Sequence, residues 1–319
     1  MTIGVSLRIR QLGRSGLSVS EVGLGCNNFG VRCDFDRTKE VVYAARDAGI
    51  TLFDTADIYG GAGGSETFLG RILPEFRDEI VLATKFGMPM GTKDRARGSR
   101  RYIVSAVEAS LRRLQTDRID LYQMHEPDAN TPIDETLMAL DDLIHAGKVL
   151  YTGSSNFSGW QITEAEYVAR SLGVNRMVSA QNEYSLLKRE VEHEVIPAAQ
   201  HFEIGVLPFY PLASGALTGK VKRETGAPPG SRLASRPEAV AQINFTMVEA
   251  LEEFASSRSM TLLDLAFAFL LAESTVSSVI AGATSSEQIK ANVATQSVEL
   301  SDEDLEDLGR ILGPGTPLG

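Results

Sequence analysis

Eight short apolar segments recur along the chain and constrain its fold more than any other feature. Most begin roughly 30 residues after the previous one, which is the length of one strand–helix unit. Each is apolar nearly throughout, as expected for strands buried on both faces of a sheet. The segments are Val22–Gly25, Thr51–Asp54, Ile80–Lys85, Ile119–His125, Val149–Ser154, Val178–Asn182, Gly205–Phe209 and Ser278–Ala281.

The stretches between these segments carry helical periodicity. Apolar residues recur every three or four positions within 103–114 and within 133–144, and Gly147 follows the second stretch as a helix-ending signal. Repeated alternation of strand and helix favours a parallel α/β fold. We therefore predict one α/β domain spanning residues 1–319 and folded as a closed (β/α)8 TIM barrel. An open doubly wound sheet is the alternative.

Three segments extend beyond a bare barrel. Leu7–Arg10 and Leu17–Glu21 are separated by a glycine-containing turn and predict an N-terminal β-hairpin. A long loop follows the seventh strand and includes the Pro-, Gly- and Arg-rich stretch Lys220–Pro237, and long loops in compact folds are usually functional. Ser301–Leu312 begins with a helix-capping serine and predicts a final helix.

Charge and cysteine content exclude several classes of function. With 31 basic and 42 acidic residues the net charge is −11, which disfavours nucleic acid and anionic membrane surfaces as partners. Two cysteines and four histidines form neither a disulfide framework nor a metal-site spacing. The first ten residues lack a signal-peptide stretch, and no apolar run reaches the length of a membrane span. We expect a cytoplasmic protein without metal, and leave its oligomeric state open, a homo-oligomer included.

Two familiar nucleotide-binding motifs are incomplete in this chain. The segment Gly23–Asn28 lacks the third glycine of the Rossmann fingerprint. The segment Gly215–Lys220 is one residue short of a phosphate-binding P-loop. Any dinucleotide must therefore be bound in another way.

Four ionisable residues lie at the carboxyl ends of predicted strands two to four, where the active sites of such barrels lie. They are Asp54, Tyr59, Lys85 and His125. A nearby ammonium lowers the pKa of a phenol, so Lys85 would tune Tyr59 toward proton donation. Each residue alone has an ordinary structural explanation, such as a capping aspartate or a packed tyrosine. Their joint occurrence on three successive strands favours a catalytic site.

The same stretches resemble the aldo-keto reductase superfamily, and in particular the bacterial branch related to potassium-channel beta subunits. The matching segments cover most of the chain in the expected order. They are Gly49–Gly60, Ala83–Gly87, Leu121–His125, Gly147–Phe157, Gln181–Tyr184 and Phe209–Gly215.

The resemblance implies roles for individual residues. Tyr59 would donate the proton, with Asp54, Lys85 and His125 as its partners, and Phe209 would stack on a nicotinamide. Ser155, Asn156 and Gln181 would hydrogen-bond the nicotinamide carboxamide. The remaining implied cofactor contacts are Gly25, Cys26, Asn27, Asp54, Tyr210, Pro211, Leu212, Ala213, Ser214, Gly215, Lys220, Arg232, Gly282, Thr284, Gln288 and Asn292.

Cofactor preference and substrate are less well determined. The resemblance implies NADP(H), yet Gly282 and Gln288 occupy positions where many members carry a lysine and an arginine, so NADPH against NADH stays open. Four residues besides Phe209 are candidate walls of an apolar substrate pocket, with barrel packing as the alternative for some of them. They are Phe29, Met88, Trp160 and Tyr184, and we expect Trp160 in a loop.

Two functions are consistent with this pattern. The first is an NADP-dependent oxidoreductase that reduces aldehydes or ketones to alcohols, with Tyr59 as general acid. The second is an NADP(H)-binding, redox-sensing regulatory subunit with little turnover. The full set of four rim residues favours the enzyme, because a cofactor-binding subunit needs no tyrosine–lysine–aspartate group for catalysis.

Overall fold

The computed structural model describes residues 7–91 and 95–313. Its strands form one two-stranded antiparallel sheet and one eight-stranded parallel sheet. The strands are β1 (Ile9–Gln11), β2 (Ser18–Ser20), β3 (Val22–Gly25), β4 (Leu52–Asp54), β5 (Val81–Phe86), β6 (Ile119–Met124), β7 (Val149–Ser155), β8 (Met177–Gln181), β9 (Gly205–Val206) and β10 (Val279–Gly282).

The parallel sheet closes on itself. Its strand order is β10-β3-β4-β5-β6-β7-β8-β9, and backbone hydrogen bonds join the two outer members of that order. The N–H of Val206 donates to Thr275 O at 2.8 Å, and the N–H of Ile280 donates to Pro208 O at 3.1 Å. The predicted (β/α)8 barrel is therefore confirmed over the open sheet.

The predicted limits of the barrel strands agree with the observed ones to within one residue, except at the end of the seventh strand. The seventh strand differs more, because β9 ends at Val206 and not at Phe209. Pro208 has no N–H to donate, so regular pairing is broken on the side of β9 that faces away from β8. The chain nevertheless continues alongside β8, where Phe209 N–H donates to Asn182 O at 3.0 Å.

Helices cover the outside of the barrel, and the predicted helices at 103–114, 133–144 and 301–312 are confirmed. Gly147 adopts a φ of 71° just after the second of these, as its helix-ending role requires. The helices are α1 (Phe35–Asp47), α2 (Tyr59–Ala62), α3 (Gly64–Ile72), α4 (Arg100–Leu114), α5 (Ile133–His145), α6 (Gly159–Leu172), α7 (Val191–Phe202), α8 (Pro237–Ala241), α9 (Phe245–Ser257), α10 (Leu262–Ala272), α11 (Ser286–Ala294) and α12 (Asp302–Leu312).

The hairpin β1–β2 closes the end of the barrel at which the strands begin. Its residues Leu12 and Val19 are fully buried in one cluster with inward-facing residues of the barrel such as Leu52 and Leu121. Gly13 has a φ of 55°, and a side chain there would meet the backbone nitrogen of Gly205 at 2.5 Å. The hairpin therefore covers the barrel core at this end.

One further finding concerns membrane insertion. Among the described residues no single helix has the length and apolar character of a membrane span. The pair α9 and α10, bent by 91°, meets the length and composition criteria only when the two helices are taken together.

Candidate active site

A cavity of about 670 Å³ opens at the carboxyl ends of the barrel strands. Residues at or just beyond six strand ends line it, from Gly25 at the end of β3 to Gly282 at the end of β10. The long connection between β9 and α9 forms its outer wall through Pro228 and Arg232. The sequence therefore places its polar strand ends around one concave site, as is usual for this fold.

Asp54 and Lys85 form a buried ion pair at the floor of this cavity. The Lys85 Nζ lies 2.6 Å from Asp54 Oδ2 and also donates to Thr55 O at 2.9 Å. The side chains of Lys85 and Asp54 are 0% and 4% exposed. Burial is the largest single influence and lowers the pKa of Lys85, but Asp54 and the neighbouring Tyr59 and Cys26 together outweigh it, so the net pKa is raised. Lys85 therefore remains charged beneath the cavity.

Tyr59 begins the short helix α2 directly above this pair. The Lys85 Nζ lies 5.2 Å from the centre of the tyrosine ring. Burial raises the pKa of Tyr59, and Lys85 lowers it by less, so the net pKa lies above that of free tyrosine. The expectation that Lys85 brings the pKa below its usual value is wrong for this structure, because desolvation outweighs the ammonium. The phenol is therefore protonated at neutral pH, which is the form a proton donor requires.

His125 follows β6 and faces Tyr59 edge-on, with 5.8 Å between ring centres and 82° between ring planes. Burial, assisted by the charge of Lys85, lowers the pKa of His125 to about 3. The imidazole is neutral at physiological pH. Its Nδ1 is buried and has no hydrogen-bond partner within residues 7–91 and 95–313. A neutral imidazole has one N–H to offer to an oxygen atom beside Tyr59.

The ends of β7 and β8 supply three polar residues to the same floor. Ser155 and Gln181 are paired in register, and Asn156 follows Ser155 with a φ of 59°. The Asn156 Nδ2 donates to His125 O at 2.9 Å and to Ser155 Oγ at 3.1 Å. Helix α6 is capped by Ser158, which forms a capping box with Gln161, so Asn156 is not needed as the cap.

A tight loop of unusual backbone conformation follows Phe209. Tyr210, Ala213 and Ser214 have positive φ values of 51°, 46° and 58°. Such conformations are costly for residues other than glycine and cluster at ligand sites. Phe209 and Tyr210 line the cavity and contact each other edge-on at 5.3 Å between ring centres.

Three cations line the cavity without a carboxylate partner among the described residues: Arg32, Lys220 and Arg232. The Arg232 Nη2 donates to the side-chain oxygens of Asn27 and Asn28 at 3.2 and 3.1 Å. The lone carboxylate in the described lining is Asp54, which Lys85 already neutralises. Within an acidic protein this cavity therefore favours an anionic ligand.

The far end of the cavity meets the first turn of α11. Ser285 caps the helix by accepting from the N–H of Gln288 at 3.4 Å. The Gln288 Oε1 accepts in turn from the N–H of Thr284 at 2.7 Å. Together with Asn292 and Gly282, these residues form a polar wall beside a helix N-terminus, which suits a phosphate or ribose group.

Comparisons with known proteins agree with this geometry. Residues 21–312 match the model of the aldo/keto reductase family. The chain belongs to the aldo/keto reductase family. It is 37% identical over 316 residues to the uncharacterised oxidoreductase YrpG of Bacillus subtilis, covering 95% of this chain and 96% of that protein.

Other relatives carry different names. The L-glyceraldehyde 3-phosphate reductase of Escherichia coli strain K12 is 31% identical over 326 residues, covering 97% of this chain and 93% of the relative. A probable voltage-gated potassium channel subunit beta of Oryza sativa is 36% identical over 299 residues, covering 90% of each chain. Membership of the family makes the chain an oxidoreductase of aldo/keto reductase type.

In this aldo/keto reductase, most residues selected from the sequence lie together. Lys85 lies directly beneath the cavity, and Ala213 belongs to the loop that lines it. The residues that line the cavity itself are Gly25, Cys26, Asn27, Asp54, Tyr59, Met88, His125, Ser155, Asn156, Gln181, Phe209, Tyr210, Pro211, Leu212, Ser214, Gly215, Lys220, Arg232, Gly282, Thr284, Gln288 and Asn292.

Three candidate walls of the substrate pocket lie outside the cavity lining. Phe29 is fully buried in the barrel's outer core. Tyr184 is also fully buried and donates from its hydroxyl to Glu192 at 2.9 Å. Trp160 lies in the first turn of α6, not in a loop, and is 62% exposed. Of the four, Met88 alone lines the cavity.

Sequence reasoning missed several lining residues. Ile58, Thr218 and Leu263 carry no distinctive signal. Arg32 could have been found as a basic residue in the loop after the first barrel strand. The Pro-Pro-Gly-Ser segment at 228–231 lies within the long loop that the sequence already marked as functional.

Proposed function

We propose that this aldo/keto reductase reduces aldehydes or ketones to alcohols with NADPH, and that Tyr59 is its general acid. The observation that carries the proposal is the buried Asp54–Lys85 pair placed beneath a protonated phenol. Burying an ion pair costs desolvation free energy. A lysine at this position can stabilise the phenolate that forms when Tyr59 loses its proton. The Escherichia coli relative is named as the reductase of an aldehyde, which supports a carbonyl substrate.

The residues of the cavity fit a nicotinamide dinucleotide. Ser155, Asn156 and Gln181 offer hydrogen-bonding groups for a carboxamide, and Phe209 offers an aromatic face. The loop 211–215 would surround the pyrophosphate. The three cations without carboxylate partners would neutralise phosphate charge, since charge-assisted contacts to phosphate are among the stronger hydrogen bonds. Gly282, Thr284, Gln288 and Asn292 would receive the adenosine end.

The residues around Tyr59 are suited to protonating a carbonyl oxygen. The bound dinucleotide would supply hydride to the carbonyl carbon. Tyr59 donates its proton to the oxygen that becomes the alcohol, and Lys85 stabilises the phenolate that remains. Neutral His125 orients the same oxygen by hydrogen bonding. Asp54 holds Lys85 in place.

A steady-state screen tests the proposal. The purified protein is assayed with aldehydes, ketones and alcohols in the presence of NADPH, NADH or their oxidised forms. We expect NADPH-dependent reduction of at least one reactive aldehyde, with a lower rate from NADH. Tight NADPH binding without turnover of any carbonyl would contradict a reductase and would favour a redox-sensing subunit.

A further inference from the structure

A row of inward-facing positions crosses the barrel just below the cavity. Strand register pairs Lys85 with Gln123, Gln123 with Gly153, and Gly153 with Ser179 on four consecutive strands. Gln123 is 0% exposed and lies in a strand that is otherwise mostly apolar. Burying an amide is unfavourable unless it is hydrogen-bonded, so its contacts indicate its role.

Both ends of the Gln123 amide are engaged. Its Nε2 donates to Asp54 Oδ1 at 3.3 Å. Its Oε1 accepts from Ser179 Oγ at 3.3 Å and from Gln181 Nε2 at 3.5 Å. The Asp54 carboxylate can only accept a hydrogen bond, so the two ends of the Gln123 amide cannot exchange without losing the contact with Asp54.

Gly153 leaves the space in which this contact forms. A side chain at Gly153 would lie 2.0 Å from Ser179 Oγ and 3.2 Å from Gln123 Cγ. Any other residue on β7 would therefore separate Ser179 from Gln123. The backbone of the intervening strand is thus compatible with the polar row only because it carries glycine here.

Gln181 connects this polar row to the cavity. Its Nε2 donates to Asp54 Oδ1 at 2.9 Å and to Gln123 Oε1 at 3.5 Å. An amide nitrogen carries two N–H groups, and these two contacts use both of them. Both N–H groups of Gln181 therefore point into the barrel and away from the cavity. Gln181 lines the cavity, and its Oε1 is the polar side-chain atom left for a ligand.

We propose that Gln123 is a positioning residue that holds the Gln181 amide with its oxygen toward the cavity, so that the floor selects a ligand amide able to donate. The inference rests on the proposed function, in which Gln181 contacts the nicotinamide carboxamide. Without Gln123, Gln181 keeps a single partner, Asp54, and its amide is free to rotate about the remaining contact. Selection for a donating group is then lost.

The test compares two ligands that differ at this group alone. Calorimetric titration measures dissociation constants for NADP⁺ and for its 3-acetylpyridine analogue, which has a methyl ketone in place of the carboxamide and so has no N–H to donate. Loss of one such hydrogen bond typically weakens binding about five- to tenfold. We expect wild type to bind the analogue weaker by that factor, and Gln123→Leu to bind the two ligands within about twofold of each other.

Gln200→Leu is the matched control. The Gln200 Nε2 also donates to a buried carboxylate, that of Glu273 at 3.3 Å, but at the end of the barrel closed by the hairpin. This variant should keep the wild-type ratio of the two dissociation constants. A purely structural loss in Gln123→Leu would lower its melting temperature or weaken both ligands equally, and would leave the ratio unchanged.

Ser179→Ala provides a second route if Gln123→Leu does not fold. It removes the hydroxyl that donates to Gln123 Oε1 and should shift the ratio in the same direction by a smaller factor. If both variants kept the wild-type ratio of the two dissociation constants, the role of Gln123 would be contradicted, but the proposed binding of NADP would stand. Failure of wild type to bind NADP⁺ at all would instead contradict the proposed function.

Discussion

The ammonium of Lys85 lies 2.6 Å from Oδ2 of Asp54, and both side chains are buried beneath the ring of Tyr59. This relationship joins residues from two adjacent strands at the level where the barrel opens into its cavity. Removing either partner should therefore affect stability, because a buried charge loses its partner, and activity, because the pair lies beneath Tyr59.

Replacing Lys85 with methionine should reduce both stability and activity. The change leaves the Asp54 carboxylate buried without its cation, and breaking such a pair typically costs about 3–5 kcal/mol. Urea denaturation measures the loss in unfolding free energy. The double variant Asp54→Asn with Lys85→Met should recover much of the stability while remaining inactive.

The control for this loss is an exposed pair. Arg223 and Glu249 form a bidentate ion pair on the surface, where water and salt weaken it. Arg223→Met should therefore leave unfolding free energy and turnover close to wild type. An equal loss in both single variants would mean that burial of the Lys85 pair has no special importance.

The pKa of Tyr59 should lie above that of free tyrosine, which is about 10. The reason is that burial raises the pKa of Tyr59 by more than Lys85 lowers it. Ultraviolet difference titration of wild type against Tyr59→Phe, both without cofactor, isolates this one phenol among eight tyrosines. A difference signal at or below pH ~9 would show that the ammonium outweighs burial.

The fold was predictable because each of the eight barrel strands corresponds to a contiguous apolar run in the sequence. Pro208 marks where the predicted strand limit is inaccurate, because the apolar run continues beyond Val206, where the regular strand β9 ends, although Phe209 still donates a backbone hydrogen bond to Asn182. Asp54, Lys85 and His125 were predictable for a related reason: polar residues at the ends of apolar strands converge at one end of the barrel, whatever the details of packing.

The apolar part of the site was less predictable. Phe29 and Tyr184 are aromatic residues close in sequence to lining residues, but residue type does not reveal which way a side chain points. Tyr184 is directed away by its hydrogen bond to Glu192. Gln123 was missed because its importance depends on side-chain contacts with two other strands, β4 and β8, which only the closed barrel brings together.

Arg232→Ala should weaken NADPH binding by about tenfold or more and leave NADH nearly unchanged. Arg232 has no carboxylate partner among the described residues, and a charge-assisted contact to phosphate contributes about 1.5–3 kcal/mol. Arg236→Ala, in an exposed position of the same loop, is the matched control. Equal losses for the two cofactors in Arg232→Ala would show that this arginine does not contact the 2′-phosphate, the group that distinguishes NADPH from NADH.

Phe209→Ala should raise the dissociation constant for cofactor more than it alters folding. Stacking contributes on the order of 1 kcal/mol beyond area burial, or about fivefold in affinity. Phe209 is only partly buried, so its removal leaves most of the core intact. Phe209→Leu keeps apolar volume without an aromatic plane and should show a similar loss. Unchanged affinity in both variants would count against stacking.

The central claim is that Tyr59 protonates the carbonyl oxygen, and the variant Tyr59→Phe tests it most directly because the ring and its packing remain. NADPH oxidation with a reactive aldehyde is measured for wild type and variant, beside a titration of NADPH binding. We predict that kcat falls by about 10²–10⁴ while the dissociation constant for NADPH stays at the wild-type value. Turnover by Tyr59→Phe at close to the wild-type rate would contradict the mechanism.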